Sequence, residues 1–173
     1  MRIKSLFLLL LISISPSALC TDIDSLFAAA ILGKTERIKF LLASGVDVNG
    51  KTATGRTAMM AASFNGNIRV ARVLLAYGAD VNLIDNLGSS ALMDAVIFGN
   101  GELVELLITS GADVKVEDNQ KTSVLEKAKR TKSTTIIKIL EAAIKNHKQP
   151  EPETEAIEAA ATSPVEDNLP KDK

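Results

Sequence analysis

The side chains best suited to covalent or acid–base chemistry are few in this chain, and they do not gather. His147 is the only histidine and Cys20 the only cysteine, one near each end of 173 residues. Nucleophilic catalysis needs a nucleophile and a base within hydrogen-bond reach, oriented by a third group. No such set is spaced for it here, and no His/Cys/Asp group has the short ligand spacing of a metal site. Gly99-Asn100-Gly101 falls between two apolar helical stretches, so it reads as a helix–helix turn and not as a phosphate loop. Asp94 is the one carboxylate placed early in an inner helical stretch. It is read as a structural acid rather than a partner-binding one, because paired or solvated carboxylates far outnumber functional ones. The expectation is therefore no enzyme, no cofactor and no metal, which leaves recognition of another molecule by a surface.

Such a surface needs elements to position it, and the glycines mark them. Gly33, Gly66 and Gly99 recur every 33 residues; so do Gly45, Gly78 and Gly111, and then Gly55 and Gly88. Asp47, Asp80 and Asp113, followed by Val48, Val81 and Val114, keep the same step. A fixed period of this length marks a stacked repeat array, each unit burying its apolar face on its neighbours. Within one unit, Thr57 stands ready to cap a short helix over Ala58-Met59-Met60-Ala61-Ala62-Ser63-Phe64-Asn65, and Gly66 ends it in the left-handed region. Ile68, Val70, Ala71, Val73, Leu74 and Leu75 then give a second helix with one apolar side. Gly78 stops that helix, and an extended excursion follows to a turn at Gly88.

The spacing predicts units over residues 22–54, 55–87, 88–120 and 121–146. The last is altered: Lys132 and Ile144 stand where the two helix-stopping glycines would fall. Lys127, Lys129, Arg130 and Lys132 replace small or apolar residues, as expected of a cap whose outer face meets water. The first unit, with no turn before it, is expected to cap the other end.

The termini read differently. Met1-Arg2-Ile3-Lys4, an apolar run from Leu6 to Ile12, and small residues up to Cys20 describe a secretory signal peptide over residues 1–20, cleaved before Thr21. An alternative makes Cys20 the lipid-bearing first residue of a lipoprotein, although Leu19 sits where Gly, Ala or Ser is wanted. The run is too short to span a bilayer, so no integral membrane segment is expected after its removal. Residues 147–173 carry four of the five prolines and an excess of acids, the composition of a disordered tail. Residues 21–146 hold 15 Lys+Arg against 14 Asp+Glu, too balanced for a nucleic-acid binder.

The unit resembles the ankyrin repeat, whose pattern is Gly-x-Thr-Pro-Leu-His-x-Ala, a glycine, Val-x-x-Leu-Leu, then Gly-Ala-Asp-Val-Asn. Here stand Gly55-Arg56-Thr57-Ala58-Met59-Met60-Ala61-Ala62 and Gly78-Ala79-Asp80-Val81-Asn82, then Gly88-Ser89-Ser90-Ala91-Leu92-Met93-Asp94-Ala95 and Gly111-Ala112-Asp113-Val114-Lys115. The resemblance implies an all-α repeat solenoid of four helix-turn-helix units with β-hairpin or turn loops, the last a divergent cap. Ala58 and Ala91 replace the family's proline. Met60 and Met93 replace its histidine, so the hairpins are expected to be less rigidly held.

The resemblance also implies a concave surface. Its positions here are Ile31, Leu32, Arg56, Phe64, Asn65, Leu87, Ser89, Ile97 and Phe98, to which the apolar tip adds Leu83 and Ile84. Large apolar side chains on one exposed strip point to a protein interface; the plain alternative is that Phe64 and Phe98 complete the core. The expectation is an exported monomer that binds a protein partner in the periplasm. Secretion as an effector, or lipid anchoring through Cys20 as an envelope component, are the alternatives.

Overall fold

The computed structural model describes residues 16–146; residues 1–15, which are most of the expected signal peptide, and residues 147–173, the expected tail with His147, lie outside the described residues. Among the described residues, eight helices follow one another in four pairs: α1 (Pro16–Ile31) with α2 (Thr35–Ala43), α3 (Ala58–Phe64) with α4 (Ile68–Ala76), α5 (Ala91–Ile97) with α6 (Gly101–Thr109), and α7 (Val124–Thr131) with α8 (Thr134–Asn146). The odd-numbered helices pack on one another as an inner row and the even-numbered ones as an outer row. Helix α1 continues across the expected processing position between Cys20 and Thr21.

The short inner helices are covered on nearly every side. All residues from Ala58 to Ser63 and from Ala91 to Val96 are buried. Ala58, Ala61, Ala62, Ala91 and Ala95 keep these helices close, and Met59, Met60, Leu92 and Met93 fill the space between units. The two methionines in the family's histidine positions are thus core residues; unbranched and polarizable, they suit irregular gaps. Leu74, Val104, Leu107, Ile136 and Leu140 extend the same core through the outer row. Three of the inner helices, α3, α5 and α7, start on a hydroxyl cap: Thr57 accepts from Met60 N, Ser90 from Met93 N, and Ser123 forms a full capping box with Glu126.

Between units the chain makes one turn three times over. Arg56 O accepts from Thr52 N, Ser89 O from Asp85 N, and Thr122 O from Asp118 N, at 2.9, 3.0 and 3.2 Å. Among the described residues the β character of these loops is limited to isolated bridges, Ile84 with Ser90 and Glu117 with Ser123.

Asparagines then tie the units together. Asn67 donates to Ala30 O and Ile31 O, and Asn100 to Ser63 O, at 2.8 to 2.9 Å. Both occupy the N-cap position of an outer helix yet make no side-chain cap to it; they reach back to the previous unit instead. Asn49 accepts from Asp80 N and Asn82 from Asp113 N, both at 2.8 Å. Asn86 donates to Ala53 O and Asn119 to Asn86 O, at 3.2 and 3.1 Å. These clamps hold the turns without the family's histidine.

The altered fourth unit keeps more of the pattern than its residues suggest. Lys132 adopts φ 57° and Lys121 φ 60°, the left-handed conformation that glycine supplies at the matching positions. Each costs an L-residue about 1 kcal/mol. At Ile144 the stop does fail, and α8 runs on to Asn146.

Candidate partner-binding surface

The turns and the ends of the inner helices bring most of the expected interface residues to one side. Phe64 and Phe98, the last helical residue of α3 and the residue that follows α5, stack with ring centroids 4.1 Å apart at 54°. They remain 40% and 47% exposed, so they are not simply core. Ile97 is similarly exposed, and Leu87 at the turn is 72% exposed. Leu32, after α1, is exposed as well.

Others of the set serve the scaffold. Asn65 donates to Ile31 O at 2.9 Å, which ties two units. Ile31 and Leu83 pack against the core. Ile84 is exposed, and its carbonyl accepts from Lys51 Nζ at 2.8 Å. Half-buried Ser89 gives its N–H to Asp85 Oδ1 at 2.9 Å.

Arg56 was expected at the interface and Asp94 as a structural acid, and the structure joins the two. Arg56 Nη2 forms an ion pair with Asp94 Oδ2 from one unit to the next, and the guanidinium lies 5.9 Å from the Phe64 ring centroid. Arg56 Nε is buried without an acceptor, so the pair is not a fully satisfied network. Burial pushes the Asp94 carboxyl up to about 6; Arg56 opposes this, Asp85 adds to it by repulsion, and Lys127 draws it back down.

A second pair lies beside the first. Lys127 Nζ meets Asp118 Oδ2 at 2.6 Å, with both side chains largely buried. This corrects the reading of Lys127 as part of a water-facing cap. Lys129, Arg130 and Lys132 are exposed, but Lys127 turns inward, because its position on α7 faces the turn that holds Asp118. The Lys127 hydrogen bond is also the main reason that Asp118 titrates below the usual carboxylate range. Both pairs, with Asp85, Leu87 and Ile97, line a groove of about 320 Å³.

Sequence reasoning missed the clamps and the Arg56–Asp94 pair. The clamps had a signal, since Asn49/Asn82, Asn67/Asn100 and Asn86/Asn119 each keep the 33-residue step. The ion pair had none, because its partners occupy different positions of the unit.

Paired inner and outer helices, joined by identical turns and offering one aromatic and charged side, define a repeat scaffold that works by its surface. A family model for three copies of the ankyrin repeat matches residues 5–85 and 26–118. The chain belongs to the ankyrin-repeat family. Ankyrin repeats are protein–protein interaction modules, typically non-enzymatic scaffolds. No curated protein sequence matches the chain. Among the described residues no His, Cys, Asp and Glu are grouped to hold a metal ion, and no helix is long and apolar enough to cross a membrane.

Proposed function

We propose that this protein is an exported ankyrin-repeat module that captures a protein partner in the periplasm through its concave side and turn tips. The observation that carries the binding reading is the stacked Phe64–Phe98 pair, two aromatic rings left half exposed beside Ile97 and Leu87. Aromatic side chains of this kind anchor interfaces, with charges at their margin selecting the partner. Export rests on the signal-like residues 1–20, and the lipid-anchored alternative rests on Cys20. Mass spectrometry of the mature N-terminus separates the two: Thr21 at the terminus fits soluble export, diacylated Cys20 fits anchoring, and an intact residue 1 rules out both. Recovery of the chain outside the producing cell would favour the effector alternative.

The binding test is affinity capture from an envelope extract with the wild-type chain and a Phe64→Ala/Phe98→Ala double variant of equal helicity. The specific partner band should be lost with the variant. Unchanged capture would overturn the aromatic strip as the site.

A further inference from the structure

The 33-residue register allows one unit's chemistry to be read from its neighbour. At the turn leading into the fourth unit, Asp118 uses Oδ1 to accept the N–H groups of Gln120 and Thr122 at 2.9 Å, which builds the turn. Its Oδ2 takes the Lys127 ammonium. Asp85 is the same residue one unit earlier, and its Oδ1 accepts from Leu87 N and Ser89 N at 2.9 Å in the same way. The position matching Lys127 is Asp94, a second carboxylate. Arg56 is committed to Asp94; Asp85 has no ion pair among the described residues.

The groove accordingly holds three carboxylates, Asp85, Asp94 and Asp118, against two cations, Arg56 and Lys127. Leu87 and Ile97 line it next to Asp85, and the phenylalanine pair adjoins Arg56. A single cation carried on an apolar stem matches this surface, since lysine and arginine lay their methylenes on apolar groups while the charge seeks a carboxylate.

We propose that the groove where the second unit meets the third receives a lysine or arginine side chain of the partner protein, its cationic end at Asp85 beside Asp94 and its stem on Leu87 and Ile97, with an adjacent apolar residue on Phe64 and Phe98. The recognised element is thus a basic–apolar pair in a peptide segment. This deepens the reading of the concave side as the binding site and rests on it. Asp118 and Lys127 show within the chain the contact that the partner's cation reproduces one unit away.

The test is selection of random dodecapeptides on the purified full chain, followed by affinity titration of a selected peptide. Selected peptides should share a lysine or arginine next to a large apolar residue. Replacing that basic residue with norleucine, which leaves the protein untouched, should weaken binding about tenfold, as should Asp85→Asn. Binding should also weaken as salt rises. Selection of peptides without a basic residue, failure to select any, or indifference to both replacements overturns the proposal. The Phe64→Ala/Phe98→Ala variant separates the two levels. If it loses binding while the charge replacements do nothing, the concave site stands and the cation subsite falls; if it too binds normally, both fall.

Discussion

At the scale of single residues, the Arg56–Asp94 pair is the feature with the largest physical consequence. Asp94 is only 6% exposed, and its ionised form is opposed by burial and by Asp85 more than Arg56 and Lys127 offset. The folded state therefore holds the Asp94 proton more tightly than the unfolded chain, whose value is 3.8. That contribution to stability is complete below 3.8 and is lost as pH rises through about 6. It amounts to at most about 3 kcal/mol. Asp118 and Glu126, both lowered, act in the opposite sense: their contribution is present at neutral pH and lost on acidification. Urea unfolding of wild type and Asp94→Asn from pH 4 to pH 7 isolates the first term. Wild type should lose stability relative to the variant across that window; parallel curves would show that Asp94 is not perturbed. Sequence alone gave Asp94 a structural role but no partner, because a pair between unlike positions of adjacent units follows no repeat.

At the scale of elements, the helices and turns were legible because each glycine, cap and apolar run recurs in register. What register conceals is why a glycine is needed. Gly78 has φ 81° with open space where a Cβ would stand. Gly88 has φ 76°, and a Cβ there would lie 2.8 Å from Asn119 N, inside the clamp to the next turn. Gly78→Ala should cost about 1 kcal/mol of backbone strain. Gly88→Ala should cost about 2–3 kcal/mol, since a backbone contact must also shift and the clamp loosen. Lys132→Gly should stabilise by about 0.5–1 kcal/mol, because it relieves the left-handed lysine at some entropic cost. Equilibrium denaturation of the three variants gives the order directly, and equal costs at Gly78 and Gly88 would dismiss the clamp argument. The fourth unit was the least legible element for the same reason: Lys121 and Lys132 hide a conserved backbone shape behind a changed side chain.

At the scale of the whole molecule, each helix pair among the described residues packs chiefly on its neighbours, so stability is approximately a sum of unit and interface terms. Removing residues 122–146 takes away Val124, Ile136 and Leu140, each fully buried, and uncovers the faces of α5 and α6 that they cover. Each such side chain contributes about 1.5–3 kcal/mol, so the truncated array should melt well below the full chain and associate in sedimentation. A monomer with an unchanged melting temperature would contradict this. The family and its binding role followed from pattern, while the partner's chemistry did not. The chemistry proposed for it rests on Asp94 standing where Lys127 stands one unit on, which leaves Asp85 without the cation that Asp118 has, and that difference acquires meaning only once the turns are seen to face the inner helices.

The asparagine clamps have a mechanical consequence. Each strap joins one unit to the next, at the turns and at the helix junctions, and none skips a unit. A pull on the two ends of the chain loads these straps in series, so the array peels one unit at a time from an end. Every unit freed pays out roughly 110 Å of slack. A partner held where the second unit meets the third would act as a splint across that junction, so that binding should raise the force at which the array peels.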